Sequence, residues 1–76
     1  MDDHIVLSAH AQAAWNGEVY EFLGDHLGLD RGSIKEKQAE LLGKGLLAPT
    51  SFGLRLTSKG HQKLDALDQE FGAYDF

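Results

Sequence analysis

Apolar and polar positions along this chain follow a helical period in four stretches and a strand period in one region between the third and the fourth. Over residues 4–14, Ile5, Ala9 and Ala13 form one stripe and Val6, His10 and Ala14 run beside it, with Asp2 or Asp3 in place to cap the first turn. That spacing predicts a first helix whose small-residue face suits close packing, broken at Asn16-Gly17. Trp15 at its end is expected to be a large core anchor, and Asn16 to accept a hydrogen bond from a free amide of the next helix. A second helix is predicted over residues 18–27, with Val19, Phe22 and Leu23 inward, Tyr20 beside them, and Glu18, Glu21 and Asp25 outward. Gly24 lowers its helix propensity by about 1 kcal/mol relative to Ala, so a close approach of the next helix is expected there.

Gly28 is suited to the left-handed backbone that ends a helix, with Leu29 turning back into the core. Asp30 then stands where an N-cap is needed, and Leu29 and Ile34 occupy the two positions of a hydrophobic staple. A third helix follows over about residues 31–43, with Ile34, Leu41, Leu42 and either Ala39 or the stem of Gln38 inward. Gly43 and Gly45 stop it, with Lys44 at its negative end. Residues 46–48 and 52–57 read as two short strands around Pro49-Thr50-Ser51, with Phe52, Leu54 and Leu56 sharing one face of the second. Thr57 or Ser58 caps a last helix in which Leu64, Leu67 and Phe71 repeat at helical spacing and Tyr74 stands in line to extend the stripe. That stripe is a core face or a dimer interface, and residues 72–76 are expected to fray. The predicted class is mainly α with a small β-hairpin in a single domain spanning residues 1–76.

Composition narrows the picture. With 76 residues the chain buries only roughly 60% of its unfolded surface, so a partner subunit would help its stability. It has no cysteine, hence no disulfide and no thiolate metal site, which points to the cytoplasm. The longest apolar run, Ile5-Val6-Leu7, falls far short of the roughly 20 residues that span a bilayer, so no membrane partner is expected.

The net charge of -5 is unfavourable for nucleic acid, but its distribution is uneven. Residues 1–30 hold six acids and no base, and residues 64–76 hold four acids and no base. All seven bases, Arg31, Lys35, Lys37, Lys44, Arg55, Lys59 and Lys63, lie between them against only Glu36 and Glu40.

Taken together, Leu27-Gly28-Leu29, the cap Asp30, Lys44-Gly45-Leu46 and Leu56-Thr57-Ser58-Lys59-Gly60 resemble the winged helix-turn-helix domain of MarR-type and related small phage or archaeal repressors. The resemblance covers residues 18–67, and its joint order and spacing carry more weight than any single piece. It implies a three-helix core, a short wing and a C-terminal helix, with residues 31–43 as the recognition helix. It places Arg31, Ser33, Lys35, Glu36 and Lys37 on or near the first turns that would meet DNA bases and phosphates, and Lys44, Arg55 and Lys59 as backbone-positioning groups. Two departures stand out: Lys37 and Gln38 occupy positions usually apolar in that family, and the wing tip at residues 49–53 carries no base.

The four histidines do not show the spacing that puts two metal ligands on one helical face, so no metal or other cofactor is expected. No nucleophile elbow or glycine-rich phosphate loop is present, and no enzymatic activity is expected. The expected function is a sequence-specific regulator of transcription, a repressor, that binds double-stranded DNA as a homodimer through Leu64, Leu67 and Phe71. The alternative is a winged helix whose acidic surface docks a protein partner.

Overall fold

Asp2 opens the first helix by accepting a hydrogen bond from the Ile5 amide at 3.1 Å, and the computed structural model, which describes all 76 residues, starts α1 there (Asp3–Gln12). Then come α2 (Asn16–Tyr20), which continues without a break into a π-helical segment (Glu21–His26), and α3 (Arg31–Gly43). A hairpin of β1 (Leu47–Thr50) and β2 (Gly53–Leu56) leads into α4 (Ser58–Phe71). The strands are antiparallel, in the register Leu47 with Leu56 and Pro49 with Leu54. The chain is therefore mainly helical with one two-stranded hairpin, and no helix is long and apolar enough to cross a membrane.

The core holds Val6, Leu7, Ala9, Ala13, Val19, Leu23, Ile34, Leu41, Leu46, Leu47 and Leu64, so every helix and the start of the hairpin contribute to it. Its centre is α1. Residues 6–10 are buried without interruption, because α2, α3, β2 and α4 all pack around this helix. A single inward stripe was the expectation; an enclosed helix has no outward one, which is why small Ala and Ser and the polar His10 occur among its buried positions.

Capping chemistry sets the other boundaries. Asp30 accepts from the Ser33 amide at 3.0 Å and Thr57 from the Gly60 amide at 3.0 Å, opening α3 and α4. Gly28, with φ +69°, turns the chain out of the π segment while Leu29 donates back to the Leu23 carbonyl at 2.9 Å. The hairpin is tighter than expected, with β1 running through Pro49 to Thr50. Proline is tolerated there because the facing Leu54 amide points away from β1 and donates instead to Asn16 Oδ1 at 3.2 Å. Asn16 thus secures β2 and does not cap its own helix.

Several expected core residues lie outside. Trp15 is 59% exposed, its ring laid over Gly17 so closely that a Cβ at that position would sit 2.0 Å from it. Phe52 is 76% exposed because it occupies the hairpin turn and not the strand. On α3, Leu42 is exposed, and of the two alternatives for the inner face it is Gln38 and not Ala39 that is buried. The last residues do not fray: Gln12 binds the Tyr74 carbonyl at 2.7 Å and the Phe76 amide at 3.0 Å, and the Phe76 ring stacks on Phe22 at 5.1 Å.

Two of the glycines within helices, Gly60 and Gly24, differ sharply. A Cβ on Gly60 would stand 2.1 Å from the Leu46 carbonyl oxygen, so α4 can lie against the α3–β1 connection only with glycine at this site. At Gly24 the nearest group is the Leu29 carbonyl at 3.7 Å, ordinary contact and not the close helix approach expected from the sequence. Gly60→Ala is expected to lower unfolding free energy by about 2–4 kcal/mol, because backbone must move. Gly24→Ala is expected to leave it unchanged or raise it by up to about 1 kcal/mol. Urea unfolding of the two variants checks both values.

Candidate nucleic-acid interface

Helix α3 has three sides with different chemistry. Ile34, Gln38 and Leu41 face the core. Gly32, Glu36, Ala39 and Gly43, spaced by three or four residues, form an exposed outer ridge in which Glu36 is the one long side chain. Its first turn is held by the Asp30 cap, whose carboxylate would stand 2.9 Å from a Cβ at Gly32. Here Ser33 and Arg31 are exposed, and the Arg31 guanidinium lies over the Tyr20 ring at 4.6 Å from its centre. Lys35 and Glu36 are also exposed and enter no ion pair.

The remaining nominated bases are engaged by the protein itself. Lys37 projects from the other flank of α3 to Asp3 of α1 at 2.6 Å and also pairs with Glu40; its side chain is only 17% exposed. Lys44 reaches the same Asp3 at 3.2 Å and Glu40 at 3.5 Å. Burial pushes the Asp3 carboxyl up, but hydrogen bonds and charge from Lys37 and Lys44 outweigh it and hold the group below its ordinary value. The hydrogen bond to Asp3, with that to Glu40, raises Lys37, and the one from Lys37 lowers Glu40. Lys59 donates to the Lys44 carbonyl at 3.1 Å, satisfying the end of α3, and Arg55 donates to the Ala13 carbonyl at 3.1 Å. Of the eight residues nominated from the sequence, folding brings Arg31, Ser33, Lys35 and Glu36 together on the exposed first turns of α3 and directs Lys37, Lys44, Arg55 and Lys59 elsewhere.

The apolar stripe of α4 is also divided. Leu64 belongs to the core of the single chain, which removes it from an exposed interface; Leu67 is half-buried against that core, and Phe71 is 68% exposed. Phe71 borders a cleft of about 640 Å3 together with Met1, His4, Lys63, Leu67 and Tyr74. The His4 ring forms its inner wall, bound to Asp68 at 2.7 Å. No three metal-ligating side chains form a cluster.

One set of residues was not singled out from the sequence. The Tyr20 hydroxyl donates to Gln38 Oε1 at 3.1 Å, which turns the Gln38 amide nitrogen toward His10 Nε2 at 3.0 Å. This buried relay ties α2, α3 and α1 and fixes the rotation of α3 about its axis. The available signal was an inward-facing polar residue on each of two neighbouring helices, His10 and Gln38. Because His10 Nε2 accepts, the neutral ring carries its hydrogen on Nδ1, and that group is buried without a partner.

Burial, with the Arg55 charge adding to it, lowers His10 to about 4. The unfolded chain therefore binds a proton between its ordinary value of 6.5 and about 4 where the folded chain does not, so stability rises with pH across that window. The His10 contribution is full above pH 6.5 and is expected to shrink by about 3 kcal/mol in all as the pH falls toward 4. Urea unfolding at a series of pH values measures it, and a flat profile across the window would contradict a buried neutral His10.

No protein-family model matches this chain, and no curated protein or solved structure matches it either.

Proposed function

We propose that this chain is a winged helix-turn-helix regulator that binds double-stranded DNA, with α3 as the recognition helix and the β1–β2 hairpin as a short wing. The observation that carries the reading is the outer face of α3: a slender ridge of Gly32, Glu36, Ala39 and Gly43 flanked by Arg31, Ser33 and Lys35, none of them held in an ion pair. A helix with one long side chain on its outer ridge suits a groove that admits an α-helix. Arg31 and Lys35 supply donors for guanine edges or phosphates, Ser33 a hydroxyl donor, and Glu36 an acceptor for cytosine N4. The element order, three helices, a hairpin and a further helix, is the order the winged fold requires. Homodimerisation through Phe71, with Leu67 beneath it and Met1 and Tyr74 at its sides, would set two copies of α3 on a two-fold related site.

A second reading is favoured by one observation. Besides Phe71, the most exposed aromatic side chains are Phe52 and Trp15, both at the turn end of the hairpin where Asn16 joins it to α2. That end carries no free base, and an apolar, acid-flanked edge of this kind suits a protein partner in place of a phosphate backbone.

Salt dependence separates the two readings. Fluorescence anisotropy with selected duplexes is expected to show affinity of the dimer falling with salt, and Arg31→Ala and Lys35→Ala each to reduce the slope by about one per bound copy, about two for the dimer. Lys37→Ala, which removes an internal ion pair, is expected to leave the slope unchanged. Absence of duplex binding even at low salt would favour the protein partner. Sedimentation at micromolar concentration is expected to show a dimer that Phe71→Ala converts to monomer; a wild-type monomer removes the dimer.

A further inference from the structure

The chain carries a net charge of -5, yet one cleft in it is walled without a single carboxylate. It opens between the second half of α1, the end of β2 and the first turn of α4, has a volume of about 230 Å3, and is lined by His10, Ala11, Arg55, Leu56 and His61. Every polar side chain in this lining carries N–H groups. Arg55 makes no ion pair; it uses one nitrogen on the Ala13 carbonyl at 3.1 Å and keeps its remaining donors. His61 projects from the first turn of α4 and is exposed.

The third polar group is the His10 ring, 2% exposed at the inner end of the cleft. Its Nδ1–H, assigned above from the relay through Gln38, has no acceptor. The Leu54 backbone lies on that side as a weak acceptor that favours a proton on the ring, but it does not come within full hydrogen-bonding distance of Nδ1. A buried N–H short of a full hydrogen bond is costly, and an uncompensated guanidinium stands beside this one. Both deficits are met by the same kind of group, a compact anion with several acceptor oxygens.

We propose that this cleft is a binding site for a small oxyanion of the phosphate or carboxylate type. Arg55 supplies the charge and the planar donor pair that matches two oxygens, His61 closes the open side, and the His10 ring forms the floor and offers its Nδ1–H. The site stands apart from the outer face of α3 and does not depend on DNA binding. It touches α3 from behind, because the His10 ring in the cleft is the one hydrogen-bonded to Gln38.

Inorganic phosphate and acetate, titrated separately at neutral pH and fixed ionic strength with chloride as the balancing ion, test the proposal. The readout is the set of Arg55 Nε–H, His61 and His10 ring signals in NMR spectra of the whole chain. At least one of the two anions is expected to shift these signals saturably, with Kd raised about tenfold or more in both Arg55→Gln and His61→Gln and unchanged in Lys59→Gln, which lies outside the cleft. His61 is exposed, so its variant remains informative even if Arg55→Gln loosens the fold. The proposal is overturned if neither anion gives a saturable shift beyond chloride up to about 50 mM, or if both Gln variants bind as the wild type does.

Discussion

Everything in this fold is arranged around a ten-residue helix enclosed by the rest of the chain. A short helix with no solvent-facing stripe must meet a neighbour at each position, so its sequence is a compromise between small residues for approach and polar ones for specific contacts. Val6, Leu7 and Ala9 meet the apolar side chains of the surrounding elements, whereas His4, Ser8 and His10 are polar groups in the same buried environment. His4 is answered by Asp68 and His10 by Gln38, while Ser8 Oγ and His10 Nδ1 have no partner. Each unmet group costs about 1–3 kcal/mol, a large part of the total stability of a domain this small. In return, the polar contacts are directional: His4 sets α4 and the Gln38–Tyr20 relay sets α3 and α2 against one axis.

The same enclosure reorganises the charges. In the linear sequence the bases form one block, and a block of that kind suggests one positive surface. Asp3 prevents it, because the first turn of α1 lies beside the last turns of α3 and draws Lys37 and Lys44 toward the acidic N-terminus. Lys59 and Arg55 turn to backbone carbonyls whose own helices end there. What is left unpaired on α3 is its opening, with Arg31 braced against Tyr20 and Lys35 one turn later.

The parts of this fold legible in the sequence are those governed by local chemistry. The caps Asp2, Asp30 and Thr57 and the turn glycines Gly28 and Gly45 act within a few residues of their own position, and all take the roles their spacing implies. Burial is not local. Trp15 and Phe52 have the composition of core anchors but sit at a helix junction and a hairpin turn, where the chain reverses and nothing lies above them. Gln38 shows the converse, a polar residue made acceptable inside by partners 18 and 28 positions away in the chain. The candidate face of α3 was legible at Arg31, Ser33, Lys35 and Glu36 because helical spacing alone puts them near the cap. The diversion of Lys37 was not, since it depends on a partner 34 residues earlier that only tertiary packing brings near.

This charge arrangement bears directly on how DNA binding would work. Affinity for a duplex grows with the number of phosphates neutralised, and two free bases on one helix neutralise few. A single copy would then bind weakly and with a shallow salt dependence, and its selectivity would come from the fit of the slender α3 ridge and from Glu36, which disfavours any position that places it against phosphate. Two copies held in fixed relation would add their contacts in one binding event, so modest charge per copy would become useful affinity. The acidic ends of the chain would act in the same direction, repelling a phosphate backbone wherever α3 were not seated in the groove. On this reading the net negative charge would be part of the recognition, and the exposed Phe71 end of α4, as the proposed means of pairing two copies, would be as necessary to it as Arg31 and Lys35.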